Sequence, residues 1–226
     1  MPTRRSINKK IPRASDQLEI FRVRFWYEGV QIGLGYTQAK QVERYFGLKE
    51  DPNFMEKDPP GKWNRYKLGK TTPQPRLVST VDKEIEGSAR EINHPLWKVL
   101  GLYGKGLRNL DEYFNELDSE VKAIVFSPKI RCPAEQILNE KFSLIFYRKL
   151  VRVGNLDSLT ALVLYWHKAQ LKNNIGHTHY LARFIFDVLL IIGNEFWLRG
   201  LIKEFPDYPR PSATYEHPAS PMKAMN

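Results

Sequence analysis

Residues 61–78, GKWNRYKLGKTTPQPRLV, contain five basic side chains and no acidic one. Trp63 and Tyr66 are spaced three residues apart, so a helix over 62–68 would bury both rings on one face. The rest of that helix would then turn its basic side chains toward solvent or toward a phosphate. The basic residues of the segment are Lys62, Arg65, Lys67, Lys70 and Arg76.

The turn after this helix has the composition of an anion-binding site. Gly69 is expected to end the helix, and Pro73 fits the first turn of the next one. Lys70 lies in the turn together with Thr71 and Thr72. Because hydroxyl and backbone N–H groups at a helix start bind phosphate, the segment predicts contact with nucleic acid.

Two interpretations of this segment stay open. Its basic side chains either contact nucleic acid or form the solvated face of a structural helix pair whose core contains Trp63 and Tyr66. Residues 1–13 are a basic arm that either enters a minor groove or serves as a solubilising tail. The basic residues of the arm are Arg4, Arg5, Lys9, Lys10 and Arg13.

Composition favours an anionic partner. The 226 residues include 35 Lys plus Arg against 25 Asp plus Glu, which gives a net charge of +10 and a pI of about 9.6. Such a balance is typical of proteins that bind nucleic acid or acidic partners. Residues 111–120 are the exception, because their five charges are all acidic. They indicate a solvated helix face, or a surface for a basic partner or for the basic arm.

Cysteine content and hydropathy bear on the compartment. Cys132 is the single cysteine, and no apolar signal segment follows the basic N-terminus, so a cytoplasmic location is expected. The apolar run 184–193 contains Asp187 and is shorter than the roughly 20 residues that cross a bilayer. It is therefore predicted to be a buried helix, and no membrane contact is expected.

No group of residues predicts catalysis. His94 has no nearby partner in the sequence for a role as general base. His167, His177 and His179 are candidate zinc ligands, but no Cys, Asp or Glu lies at ligand spacing beside them. Cys132 has no identifiable base to activate it. The sequence therefore predicts no catalytic residue, no metal and no cofactor.

The chain is predicted to be all-α, because apolar residues recur at intervals of three and four and alternation is scarce. The long C-terminal helices are rich in Leu, Ile, Phe and Trp, which indicates a helical bundle. Residues 49–60 are predicted to be a loop, and Asn93 is expected to cap the helix that follows it. Helices are expected at about 17–32, 37–46, 62–68, 73–86, 95–102, 109–126, 133–153, 156–173 and 177–204.

Two motifs resemble a known family. Thr37-Gln38-Ala39, with Val42, Phe46, Gly47 and Leu48 after them, resembles the second helix of Xre/Cro-type helix-turn-helix domains, where a Thr-Gln pair begins the helix and a glycine ends it. Residues 63–73, WNRYKLGKTTP, resemble a later segment of that family. The matches occur in the family's order and cover about residues 18–87.

The resemblance implies roles in DNA binding. Asn64 and Arg65 match positions on the recognition helix. Gln38 matches a residue that lies against the DNA backbone, and Lys70 matches one that flanks the DNA. Asn and Arg side chains form paired hydrogen bonds with adenine and guanine edges. The family joins these helices by a tight turn, whereas residues 49–60 intervene here. Contact with the DNA backbone is therefore expected more than base readout.

The predicted organisation is a basic flexible arm at 1–16, a helix-turn-helix-like helical domain at 17–100, a helical bundle at 107–205 and a proline-rich extended tail at 206–226, with a joint at 101–106. The predicted function is binding of duplex DNA by a bacterial, plasmid or phage regulator, with a homodimer formed through the C-terminal helices. The alternative is a helical interaction or scaffold protein that binds an acidic protein or RNA. The candidate contact residues are Gln38, Lys62, Asn64, Arg65, Lys67, Lys70, Arg4 and Arg5.

Overall fold

The computed structural model describes residues 14–50, 61–102, 109–129, 132–139 and 143–198. Helices account for 74% of the described residues, and their other regular structure is a two-stranded sheet, so the all-α prediction is confirmed. The predicted arm with Arg4 and Arg5 lies outside the described residues except for its last three positions. The predicted tail 206–226 and most of the loop 49–60 and of the joint 101–106 also lie outside them.

The N-terminal helices enclose an aromatic core. Trp26 and Val30 of the first helix pack with Phe46 of the second and Trp63 of the third, and all four are buried. Leu77, Val78 and Val81 of the fourth helix are buried in the same core, as their spacing predicts. The helices of this region are α1 (Ala14–Gly33), α2 (Ala39–Glu50), α3 (Lys62–Lys67), α4 (Pro75–Asp82) and α5 (Ser88–Ile92).

The C-terminal elements pack around one central helix. They are α6 (Pro95–Leu100), α7 (Leu110–Phe114), α8 (Ser119–Val125), β1 (Phe126–Lys129), β2 (Cys132–Leu138), α9 (Leu144–Val153), α10 (Leu156–Leu171) and α11 (Ile175–Leu198). Helix α10 contacts α6, α7, α8, α9 and α11 and buries side chains on nearly every side. Helix α1 joins the two cores, since Phe25 packs in the C-terminal core and its neighbour Trp26 in the N-terminal one.

A β-hairpin replaces the start of the helix predicted at 133–153. Residues 109–126 and 133–153 were expected to be helical, but the structure has α7 and α8, then the antiparallel pair β1 and β2, and only then α9. Ser127 and Cys132 each precede a proline, which disfavours helical backbone at both positions. Asp118, inside the acidic run, begins α8 by accepting a hydrogen bond from the backbone N–H of Val121 at 2.7 Å. Residues 127–132 were predicted as the break between the two helices, and the hairpin extends from this break through residue 138.

The start of α4 and the cap of α6 also differ from the prediction. Helix α4 begins at Pro75 rather than Pro73 and has Gln74 as its N-cap. Helix α6 is capped by His94 and not by Asn93, because Nδ1 of His94 accepts a hydrogen bond from the backbone N–H of Leu96 at 3.1 Å. The proline at the first position of each helix needs no hydrogen-bond acceptor for a backbone N–H.

From residue 175 to residue 193, helix α11 is buried on one face only. Leu181, Phe184, Val188 and Ile192 pack inward, whereas Leu190 on the outer face is 64% exposed. The prediction of a buried helix over 184–193 therefore holds for its inner face alone. By length and composition, residues 175–193 are also the one stretch in the described part of the chain that is apolar enough to cross a membrane.

Candidate nucleic-acid interface

Helix α3 is held in place by its two aromatic residues. The Trp63 ring stacks on Phe46 with ring centroids 5.1 Å apart, and on Trp26 at 5.8 Å. Tyr66 contacts the rings of Trp26 and Trp63 edge-on and is buried. Both residues therefore belong to the core, as one of the two interpretations predicted. The rings are enclosed, so stacking on bases is not their role.

Both ends of α3 are fixed by contacts from other helices. Glu43 of α2 accepts a hydrogen bond from the backbone N–H of Lys62 at 2.8 Å and thereby caps α3, whose own N-cap Gly61 has no side chain. At the other end, Gly69 has a φ of +63° and lies against Ile20 of α1. The backbone N–H of Lys70 donates to the carbonyl of Arg65 at 2.8 Å, which completes a Schellman motif.

Three of the predicted contact residues lie at one open cavity. Gln38 at the start of α2 and Asn64 and Lys67 on α3 line a concave surface of about 580 Å³. Lys40 lines the same surface, although it was not predicted. We call this cavity between α2 and α3 the α2–α3 surface. It brings together two amines and two side-chain amides, all of which donate hydrogen bonds to phosphate oxygens.

The start of α2 is organised by a residue that the sequence analysis missed. Oε1 of Gln41 accepts hydrogen bonds from the backbone N–H groups of Thr37 and Gln38, at 3.0 and 2.9 Å. This is the returning half of a capping box, and a Gln three residues after the N-cap is its signal in sequence. With its backbone N–H bonded to Gln41, Gln38 is fixed at the N-terminus of α2, and its side chain is exposed at the α2–α3 surface.

The remaining predicted contact residues do not line the α2–α3 surface. Arg65 and Lys67 are two residues apart on α3, which places them on opposite flanks of a helix. Lys70 is exposed in the turn after α3, and Lys62 begins the helix. Arg4 and Arg5 lie outside the described residues.

The turn at 70–74 differs from the predicted phosphate site. The hydroxyl of Thr72 donates a hydrogen bond to the carboxylate of Glu19 at 2.6 Å. The same carboxylate accepts a hydrogen bond from the guanidinium of Arg22, also at 2.6 Å. The hydrogen bond from Arg22 lowers the pKa of Glu19 despite its partial burial, and Thr72 adds to the effect. A carboxylate that stays ionised beside Thr72 repels phosphate, so this turn is a weaker anion site than its composition indicates.

His94 is enclosed and already bonded. Its ring is 3% exposed, Nδ1 accepts a hydrogen bond from the backbone N–H of Leu96, and Nε2 lies 3.2 Å from Oδ2 of Asp157. A general base must reach the proton of a substrate, and this ring has no exposed nitrogen to do so. The His94 and Asp157 pair therefore has a structural role.

His177 and His167 are also bonded within the fold, whereas His179 is exposed. Nε2 of His177 lies 2.9 Å from the hydroxyl of Tyr147, and burial, followed by the charge of Lys172, lowers the pKa of His177. Burial likewise lowers the pKa of His167. Within the described residues, no three His, Cys, Asp or Glu side chains are grouped as metal ligands.

Comparisons with known proteins add nothing to this geometry. The chain matches no protein-family model, no curated protein and no solved structure. The resemblance of residues 18–87 to Xre/Cro-type domains therefore stays a prediction, supported only by the two motifs. Any function must be inferred from the chain's own residues and their positions.

Proposed function

We propose that the protein binds duplex DNA through the α2–α3 surface, as a cytoplasmic regulator that acts by binding and not by catalysis. The observation that supports this most is the position of Gln38, Asn64 and Lys67. They come from two separate motifs of the sequence and line one concave surface together with Lys40. Amines and side-chain amides in this arrangement suit a sugar-phosphate backbone.

The length of α3 favours backbone contact over base readout. A helix of six residues is about 9 Å long, whereas the major groove is about 12 Å wide. Two of its six side chains are taken up by the core. Asn64 is the exposed residue of α3 that lines the surface and has paired donor and acceptor groups. The proposal therefore includes weak sequence preference, with Asn64 as the base-reading candidate.

The local charge of the surface is moderate. Glu43 lines it beside Lys40 and Lys67, although its carboxylate is buried and bonded to the start of α3. The net charge of the whole chain, +10, supplies the longer-range attraction to DNA. Affinity is therefore expected to depend steeply on salt concentration.

The outer face of α11 supports a homodimer as the binding unit. Ile175, Phe186 and Leu190 are 73%, 44% and 64% exposed and form an apolar stripe that the rest of the described chain leaves uncovered. An isologous dimer would bury the same stripe on both copies. Two copies would present two α2–α3 surfaces, and binding at both would raise affinity through effective concentration.

The experiment compares salt dependence between two double variants. Affinity for a mixed-sequence duplex is measured at several salt concentrations for the wild type and for Lys40→Ala/Lys67→Ala. If both lysines contact phosphate, the slope of log affinity against log salt should fall by about two units, because about 0.9 counterion is released per contact. The control is Lys122→Ala/Lys149→Ala, which removes the same charge from α8 and α9.

The outcomes separate the proposal from its alternative. A smaller slope only for the α2–α3 variant supports DNA binding at this surface, and Asn64→Ala should then reduce any sequence preference. Equal losses for both double variants would mean that total charge alone drives binding. The alternative, a scaffold for an acidic protein or RNA, would gain support if single-stranded RNA bound more tightly than duplex DNA at the same salt.

A further inference from the structure

A groove between α9 and α11 carries positive charge above an apolar floor. Val151 and the buried ring of Phe184 form the floor, and Leu144 and Tyr180, at 38% and 40% exposed, line it further out. The groove encloses about 300 Å³. Its charged lining residues are Arg148, Arg152, Arg183 and Asp187. Three guanidinium groups therefore face one carboxylate.

These arginines are not used to hold the fold together. Within the described part of the chain, none of the three side chains forms an ion pair or a hydrogen bond, whereas Arg22 and Arg90 both do. Three unpaired arginines on one groove repel one another, which raises the electrostatic free energy of the folded protein. Their position therefore indicates an acidic ligand that neutralises them.

The walls of the groove are two helices that run side by side. The hydroxyl of Tyr147 meets His177 near the start of α11, and Gly154, just after α9, lies against Ile191 further along it. From Leu144 to Arg152 the groove wall extends about 12 Å, or two helical turns. An elongated channel of this kind fits an α-helix laid lengthwise, with apolar residues at i, i+3 and i+4 on the floor.

We propose that this groove docks an acidic amphipathic helix of a partner protein. Arginine forks bind carboxylates in a bidentate manner, and Arg and Tyr are enriched at protein interfaces while Lys is depleted. Arginine and tyrosine both line the groove, and among the described residues no lysine does. The partner helix places Leu or Phe against Val151 and Phe184, and Glu or Asp against the three arginines.

Other occupants fit less well. A DNA phosphate would neutralise the arginines but leave the apolar floor uncovered, and a flat bilayer surface does not enter a concave groove. A second copy of the chain would have to offer its acidic run 111–120. Within that run Asp111 pairs with Lys168 and Glu116 with Lys98, and Asp118 caps α8. Three of the five carboxylates in the run are therefore already bonded, which leaves two for the three arginines.

The test uses a fluorescein-labelled peptide of about 14 residues, four helical turns, with Leu at i, i+3, i+4 and i+7 and glutamates on both flanks. Its affinity is measured by anisotropy for the full-length wild type and for Arg148→Gln/Arg183→Gln. Loss of two exposed ion pairs should weaken binding about tenfold. Leu144→Ser should weaken it severalfold by removing apolar contact. The matched control, Arg44→Gln/Arg76→Gln, removes two exposed arginines from α2 and α4 and should leave affinity within about twofold.

Three results would overturn the proposal. Equal losses for the groove and control variants would show that net charge alone attracts the peptide. A second result concerns vesicles of phosphatidylglycerol and phosphatidylcholine. If the wild type and the control variant bound these vesicles, the groove variant did not, and the wild type bound no peptide, the ligand would be a lipid surface instead. If the groove variant lost as much affinity for duplex DNA as Lys40→Ala/Lys67→Ala does, the arginines would belong to the DNA-binding surface. All variants are checked by thermal melting, and Arg152→Gln replaces any that unfolds.

Discussion

The guanidinium of Arg90 donates a hydrogen bond to Oδ1 of Asp157 at 2.7 Å and so ties α5 to the first turn of α10. Asp157 is nearly enclosed, with 8% of its side chain exposed, while the Arg90 side chain is 49% exposed. The same carboxylate accepts the backbone N–H of Asp118 at 3.1 Å and lies beside His94. One acidic side chain therefore connects α5, the cap of α6, the start of α8 and the start of α10.

Asp157→Asn should destabilise the protein by about 2 kcal/mol, because the amide keeps one acceptor but loses the charge that Arg90 and His94 contact. Urea denaturation followed by circular dichroism measures the change. Glu116→Gln is the control, since its pair with Lys98 is exposed on both sides and should change stability by less than about 0.5 kcal/mol. Similar values for the two variants would mean that the Asp157 contacts add no stability.

The same carboxylate predicts a pH dependence. Burial alone would raise the pKa of Asp157, but the contacts with His94 and Arg90 outweigh it and lower the pKa to about 2. A carboxyl group with a lowered pKa in the folded state stabilises that state above its unfolded value near 4, and the contribution is lost as pH falls toward 2. The wild type should lose about 2 kcal/mol more than Asp157→Asn between pH 4 and pH 2. Parallel stability curves for the two proteins would contradict the assignment.

Gly69→Ala should destabilise the protein more than a typical substitution at a positive φ. At Gly69, with a φ of +63°, an added Cβ would lie 2.7 Å from Cγ2 of Ile20 and 2.8 Å from its carbonyl oxygen. Gly35 has a similar φ of +67°, but an added Cβ there meets nothing within 4 Å. Gly35→Ala should therefore cost about 1 kcal/mol from the backbone alone, and Gly69→Ala at least about 3 kcal/mol. Chemical denaturation of both variants measures the difference between their free energies of unfolding. Equal values would show that the turn after α3 does not pack this closely on α1.

The N-terminal helices could be predicted well because local signals agree with packing there. Trp63 and Tyr66 are the example, since their spacing of three residues predicts one buried face and both are buried. The hairpin at 126–138 was missed because Pro128 was interpreted as a break between two helices and Pro133 as the start of the second, whereas the pairing of the two segments depends on contacts that a helical apolar period does not report. The exposure of Leu190 was also missed, because the surrounding run is apolar on all sides and only the tertiary packing decides which face is covered.

The candidate site was predicted in part. Gln38, Asn64 and Lys67 were identified from motifs, and their convergence required the fold, because residues distant in sequence carry no signal of contact. Lys40 was missed for the same reason. Thr72 was expected to meet phosphate, but its hydroxyl is bonded to Glu19, a partner 53 positions away that no local pattern indicates.

Glu43→Gln should loosen α3 while leaving the rest of the protein folded. The carboxylate of Glu43 accepts the backbone N–H of Lys62, and a charged acceptor at a helix N-terminus is stronger than a neutral amide. Hydrogen exchange should show faster exchange at residues 62–67 and little change in α10. Duplex-DNA affinity reports a second effect, because removing this negative charge raises affinity only if the α2–α3 surface contacts DNA. Unchanged exchange at 62–67 would show that aromatic packing alone holds α3.

Leu190→Asp should separate a dimer without unfolding the monomer. Leu190 is 64% exposed on the outer face of α11, so a charged side chain there meets water in the monomer and should change stability by less than about 0.5 kcal/mol. In an isologous dimer the same substitution would bury two like charges in the interface and prevent association. Light scattering after size-exclusion chromatography measures the mass, and thermal melting checks the fold.

Ile32→Asp, at 52% exposed on α1, is the matched control and should leave the mass unchanged. A wild type that is monomeric at all concentrations, or a Leu190→Asp variant with unchanged dimer mass, would show that the α11 stripe is not a subunit interface.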